Sequence, residues 1–160
     1  MIWSRPFVDG ALPEEAEVLA EIHRDAFRRI WSAHEFSALL TDPSVFALVA
    51  RQTSLFGSRR IAGFVLVRFA ADEAEILTIA VRPNLRRRGV GRLLMNDVSR
   101  RLYRERIARL FLEVDRANAA AVALYRSLGF TVAGERKQYY ASPASKAGVG
   151  TALVMRLQVR

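Results

Sequence analysis

The stretch NLRRRGVGRLLMNDV, Asn84 to Val98, sets three consecutive arginines and two glycines directly ahead of an apolar helical pattern. It has two readings. In the first, a strand ending near Val81 turns through RPNLRRR and enters a helix at Gly89. The first amides of such a helix have no internal acceptor, and its dipole is positive toward the loop. Gly89 and Gly91 carry no side chain to keep an anion from those amides, and Arg86, Arg87 and Arg88 add mobile positive charge. Strand, glycine turn and helix together then make an anion site suited to a pyrophosphate. In the second reading the segment is a solvated basic turn whose helix start is weakened by glycine, and residue types alone leave both open. Other phosphate motifs fit worse. GVGRLL lacks the Gly-Lys-Ser/Thr of a Walker loop, and a dinucleotide fingerprint needs a third glycine where Leu94 stands.

Composition removes several chemistries. The chain has no cysteine, which excludes disulfides, thiolate metal sites and a cysteine acyl-enzyme. Its two imidazoles, His23 and His34, are too few and too far apart for a metal cluster or a serine–histidine triad. The net charge of +9 invites a nucleic-acid reading, but of the 25 basic residues only Lys137 and Lys146 are lysine. A G- and C-rich genome produces that skew. The arginines are also scattered, apart from clusters at 86–88 and 100–109, so an acidic or phosphate-bearing ligand accounts for the central cluster more economically than nucleic acid does. The opening MIWSRPFVDGALPEEAE does not read as a signal peptide. No apolar run reaches the roughly 18 residues needed to cross a bilayer. The expectation is a cytoplasmic protein, 160 residues folded as a single domain.

These groups must be held by regular elements, and the pattern supplies them. PEEAEVLAEIHRDAFRR (13–29) has helical apolar spacing, with acids early and arginines late as a helix dipole favours. SAHEFSALL predicts a second, short helix with Ser32 as cap and Glu35 completing a capping box. SVFALVA (44–50), RIAGFVLVRFA (60–70) and EAEILTIAVRP (73–83) read as strands, the last ended by Pro83. After the helix that begins at Gly89, RLFLEVD (109–115) is a strand with Leu110, Leu112 and Val114 on one face and Phe111, Glu113 and Asp115 on the other. NAAAVALYRSLGF starts on the Asn118 cap and stops at Gly129 as a left-handed helix end. TVAGERKQYYA and TALVMRLQV close the chain as strands around SPASKAGVG. The order predicts an α/β protein, a mixed sheet with helices on its faces.

Arg86-x-x-Gly89-x-Gly91 resembles the Gln/Arg-x-x-Gly-x-Gly/Ala motif of the GNAT acetyltransferase superfamily, which binds the pyrophosphate of acetyl-CoA there. LTIAVRPNLRRRGVGRLL, LFLEVDRANAAAVALYRSLGF and ERKQYY together resemble the branch that acetylates the N-terminal alanine of a small-subunit ribosomal protein. The likeness runs from Ile76 to Tyr140 and is weaker toward both termini. It implies a mostly antiparallel sheet with a central parallel pair splayed at the acetyl-CoA site. It also implies acetyl-CoA as co-substrate, no metal, and a protein N-terminus as partner, with no role for membrane or nucleic acid. The pyrophosphate would lie on Arg86, Arg87, Arg88, Gly89, Val90, Gly91 and Arg92. The backbone of Ile79, Ala80 and Val81 would hold the pantetheine arm, with the Val81 amide as oxyanion donor.

Acetyl transfer from a thioester to an amine needs a deprotonated nucleophile, a stabilised oxyanion and a proton for the departing thiolate. From the residues alone, Glu113 is either a base or a surface glutamate paired with an arginine. Tyr125 is either a proton donor or one member of the packing stripe Ala121, Leu124, Tyr125, Leu128. The resemblance implies that Glu113 is the base and Tyr125 the acid. It also implies that Asn118, two helical turns before Tyr125, contacts the cofactor besides capping the helix. Trp31, Tyr139 and Tyr140 match positions beside the acceptor cleft. Two positions depart from the pattern: Ile30 stands where a proline precedes Trp31-Ser32, and Thr151 where an aspartate is common. Both lie in regions that shape the choice of acceptor.

Overall fold

The computed structural model describes residues 2–27, 29–139 and 149–160, without the side chains of Gln138, Tyr139 and Val149. Among the described residues the elements run β1 (Phe7–Gly10), α1 (Ala16–Ala26), α2 (Ala33–Thr41), β2 (Val45–Thr53), β3 (Arg59–Ala70), β4 (Glu73–Val81), α3 (Val90–Arg104), β5 (Arg109–Asp115), α4 (Ala119–Ser127), β6 (Thr131–Tyr139) and β7 (Val149–Gln158). The strands form one seven-stranded sheet in the order β1-β2-β3-β4-β5-β7-β6. The registered neighbours are antiparallel at β1/β2, β2/β3, β5/β7 and β6/β7, and parallel at β4/β5. This is the mixed sheet that the order of elements predicts, mostly antiparallel with a central parallel pair as the resemblance implies. A parallel pair requires a crossover, and α3 supplies it. The β4/β5 ladder is short, registering Glu73–Glu75 with Arg109–Phe111. No helix among the described residues is long and apolar enough to cross a membrane.

The chain gathers into two compact units, Met1–Phe69 with Leu77–Arg101, and Ala70–Ile76 with Leu102–Arg160. In the first, α1 and α2 lay Leu19, Ile22 and Phe36 against Val49 of β2 and Phe64 and Leu66 of β3. Helix α1 is shorter than the apolar spacing predicts. Pro13–Glu15 form a 3-10 turn ahead of it, and Phe27 leaves the helix in an extended conformation, φ −130°, ψ 150°. Glu15, at that boundary, is held from two sides. One Glu15 oxygen accepts from the Leu12 amide at 2.7 Å, and Arg51 of β2 grips the same carboxylate at 2.6 Å. Arg51 also bonds Asp9 and the Gly10 carbonyl, which pins β1, a four-residue edge strand too short to register in the sequence. Helix α2 carries the predicted capping box, Ser32 Oγ accepting from the Glu35 amide at 3.1 Å and Glu35 from the Ser32 amide at 2.8 Å.

In the second unit β5 follows its predicted alternation: Leu110, Leu112 and Val114 are buried and Glu113 faces outward. Helix α4 begins on Asn118, whose side chain accepts from the Ala121 amide at 3.2 Å. It ends on Gly129 with φ +100°, in a conformation that costs glycine nothing. There the Phe130 amide donates to the Tyr125 carbonyl at 3.0 Å and the Gly129 amide to that of Arg126 at 3.0 Å. This is the Schellman closure, with its usual apolar contact between the Tyr125 and Phe130 rings, centroids 5.7 Å apart.

Candidate active site

The predicted site residues divide between the two units. In the first, β4 runs into a 3-10 turn at Pro83–Leu85 whose Leu85 is buried and anchors the loop, leaving Arg86, Arg87 and Arg88 exposed. Arg86 Nε donates to the Val81 carbonyl at 3.2 Å, folding the loop back onto the strand end. The chain then passes through positive φ twice, at Arg87 (62°) and Gly89 (82°). The first conformation is strained for a residue with a Cβ, and strain of this kind persists where the surroundings over-determine it. The first helical bond of the next turn is from the Leu93 amide to the Gly89 carbonyl, 3.0 Å. Among the described residues nothing accepts from the amides of Gly89, Val90 and Gly91. Three amides at a positive helix end, flanked by exposed guanidiniums, fit a diphosphate. Buried Val90, Leu94, Met95 and Val98 hold the first turns of α3 by their helical spacing.

Ile79 and Val81 are half-buried and Ala80 is buried at the end of β4. Their backbone is closely backed by β3. A Cβ added at Gly63 would lie 2.7 Å from the Ala80 carbonyl oxygen. Trp31 precedes α2 and stacks on His23 of α1, ring centroids 4.8 Å apart. His23 is itself sandwiched by Phe27 at 4.6 Å and met edge-on by Phe36 at 5.5 Å. Burial of this imidazole, with the Glu35 charge opposing, pushes its pKa down to about 4, and its Nδ1 has no hydrogen-bond partner among the described residues. A groove of about 450 Å³ in the same unit is lined by apolar Trp31, Leu39 and Leu77 and by charged Arg29, Glu35 and Arg68.

The second unit holds Glu113, Asn118 and Tyr125. Tyr125 sits two residues before the end of α4, 7% exposed, and burial pushes its phenol up to about 12. Such a phenol keeps its proton at neutral pH and has one to give. Glu113 lies on the outward face of β5, and its carboxylate pairs with the Arg136 guanidinium of β6 at 3.1 Å. Tyr139 ends β6; Tyr140 lies outside the described residues, as does most of SPASKAGVG. Sequence reasoning missed Arg136, which only the strand order β5-β7-β6 carries to Glu113. It also missed His23 and Phe36 behind Trp31. Their signal was present as aromatic residues at 23, 27, 31 and 36, but that spacing reads equally well as ordinary core.

Strand order, crossover helix and a glycine turn with open amides together define an acetyltransferase of the GNAT type, and residues 16–130 match the acetyltransferase (GNAT) family; the chain belongs to that family. It is 41% identical over 100 residues to the [ribosomal protein bS18]-alanine N-acetyltransferase of Salmonella typhimurium, covering 62% of this chain and 66% of that protein. The match therefore spans just under two thirds of that relative's length. To the N-alpha-acetyltransferase RimI of Mycobacterium tuberculosis it is 35% identical over 141 residues, 86% of each chain. The crystal structure of the ribosomal-protein-S18-alanine N-acetyltransferase from Escherichia coli superposes with a TM-score of 0.83 at 29% identity, over 96% of this chain and 94% of that one.

Proposed function

We propose that this chain, acting as one N-acetyltransferase domain over 1–160, moves the acetyl group of acetyl-CoA to the N-terminal α-amine of a protein, the acceptor being the N-terminal alanine of a small-subunit ribosomal protein. The observation that carries the reading is the turn from β4 into α3, with its three open amides beneath exposed Arg86, Arg87 and Arg88. The activities named for the Salmonella and Mycobacterium relatives supply the acceptor class.

In this reading acetyl-CoA supplies the thioester. The amides of Gly89, Val90 and Gly91 and the guanidiniums of Arg86, Arg87, Arg88 and Arg92 hold its diphosphate. The backbone of Ile79, Ala80 and Val81 aligns the arm, and the Val81 amide donates to the oxygen on which negative charge develops. An α-ammonium with a pKa near 8 must lose a proton before it attacks, and the Glu113 carboxylate takes that proton directly or through water. The Tyr125 hydroxyl, kept protonated by burial, gives its proton to the leaving thiolate. Asn118 caps α4 and so sets the helix that carries Tyr125, and its amide group is available to the cofactor. Trp31, with Tyr139 and Tyr140, borders the acceptor.

The test is mass spectrometry of matched peptides incubated with acetyl-CoA: one with a free N-terminal alanine, one with that terminus blocked and an internal lysine retained, and a panel of small amines. Acetylation confined to the free terminus, and lost in Glu113→Gln, is the expected result. Transfer to the small amines alone would move the enzyme to another branch of the family.

A further inference from the structure

We propose that Arg136 is a positioning residue for the base, holding the Glu113 carboxylate aimed; this rests on the reading of Glu113 as the base. Residues in register across a sheet point to the same face. Glu113 and Gly134 both register with Val154 of β7, and Asp115 and Arg136 both register with Ala152. Arg136 therefore lies one strand removed and one register step from Glu113, on its face. Neighbouring strands are about 4.8 Å apart and residues rise about 3.4 Å each, so the two side chains together must span roughly 12 Å on the diagonal. They do: Arg136 Nη1 stands 3.1 Å from Glu113 Oε1.

The sequence keeps that path open. On β7 the guanidinium passes over buried Ala152 and beside half-buried Val154, and the β6 position level with Glu113 is Gly134, with no side chain at all. Asp115, closer to Arg136 by register, accepts from the Ala117 amide at 2.9 Å in the turn before α4. The pair is solvent-accessible, its side chains 66% and 37% exposed. Exposed pairs of this kind add little to stability, so a fold-holding role does not account for a bridge built across an intervening strand. A guanidinium fork does what a carboxylate base needs: it fixes which oxygen faces outward and cannot itself lose a proton.

The experiment is a double-mutant cycle on the whole enzyme, with Arg136→Gln, Arg136→Lys, Glu113→Gln and Arg136→Gln/Glu113→Gln. An alanine-terminated peptide is the acceptor, and thermal midpoints are read beside the kinetics. Misplacing a reacting group by an ångström costs up to about a hundredfold. Arg136→Gln is expected to lower kcat on the order of tenfold to a hundredfold, leaving the KM for acetyl-CoA and the thermal midpoint unchanged, and Arg136→Lys to recover part of the loss. In the Glu113→Gln background the Arg136 change is expected to do nothing more, because residues acting as a unit are not additive. Additive losses, or a loss confined to the peptide KM, overturn the proposal and leave Glu113 as the base. A silent Glu113→Gln removes the base reading and this inference with it.

Discussion

Replacing Gly63 by alanine would test whether the end of β4 is as tightly backed as its geometry indicates. Gly63 registers with Ala50 in the β2/β3 ladder and has no positive φ, so the added methyl costs no backbone strain of its own. Its Cβ would meet the Ala80 carbonyl oxygen at 2.7 Å, and Val81 Cα and a Val81 methyl each at 3.2 Å. Carbon contacts settle near 3.5–4.0 Å, so the β4 backbone must retreat by roughly 0.5 Å. The clash is with backbone, which cannot rotate away. Overpacking of this kind costs about 1–3 kcal/mol, and in a chain of this size each kcal/mol lowers the midpoint by about 2–4 °C. The expected fall is about 2–12 °C. Ala80 and Val81 are also the residues proposed to align the acetyl arm. Half an ångström there should lower kcat/KM on the order of tenfold at temperatures well below the new midpoint. Thermal unfolding followed by circular dichroism, beside acetyl transfer to the alanine peptide, reads both effects. Gly10→Ala, whose Cβ meets nothing within 4 Å, is the control. If Gly63→Ala keeps the wild-type midpoint and turnover, the close approach constrains neither β4 nor the site, and the reasoning fails.

Two further predictions follow from buried titratable rings. The Tyr125 phenol, pushed from 10.0 up to about 12 by burial, stays protonated in the folded chain while the unfolded chain ionises. Stability is therefore whole below pH 10 and declines as pH rises toward 12, by up to about 2–3 kcal/mol. Denaturant titrations should show that alkaline decline in the wild type and not in Tyr125→Phe, which should also lower kcat by about 10²–10⁴. His23, pushed from 6.5 down to about 4, is neutral when folded and takes up a proton when unfolded. Its contribution is whole above pH 6.5 and is lost as pH falls toward 4, by up to about 3 kcal/mol. His23→Phe keeps the stack with Trp31 and removes that acid sensitivity along with the buried Nδ1. Parallel acid loss in variant and wild type would show that the buried imidazole is not its source.

Much of the local structure was legible because its causes are local. Ser32 and Glu35 stand three residues apart and close their capping box, as do Asn118 and Gly129 at the two ends of α4, since a cap needs only its own helix. The alternation of RLFLEVD fixed which face of β5 carries Glu113, because a strand's period is two whatever its neighbours are. The turn at Gly89 was equally readable, glycine being the residue that enters positive φ without cost. Strand-to-helix order along the chain, and with it the mixed α/β sheet, came from the same periodicities.

Tertiary structure decided what depends on distant partners. Arg51 of β2 grips Glu15 across 36 residues, and no pattern within either segment announces that bond. The aromatic residues near the first two helices became one stack around His23 only once α1 and α2 were packed on β2 and β3. The partner of Glu113 was settled by the placing of β7 between β5 and β6, which brings Arg136 to a carboxylate 23 positions earlier over the small side chain of Ala152. The sequence determined which side chains have the chemistry and which face of its own element each one takes, because dihedral preference and hydrophobic period act over a few residues. Which of them meet was decided by strand order and register, which pair elements far apart in the chain and are chosen by the packing of the whole sheet.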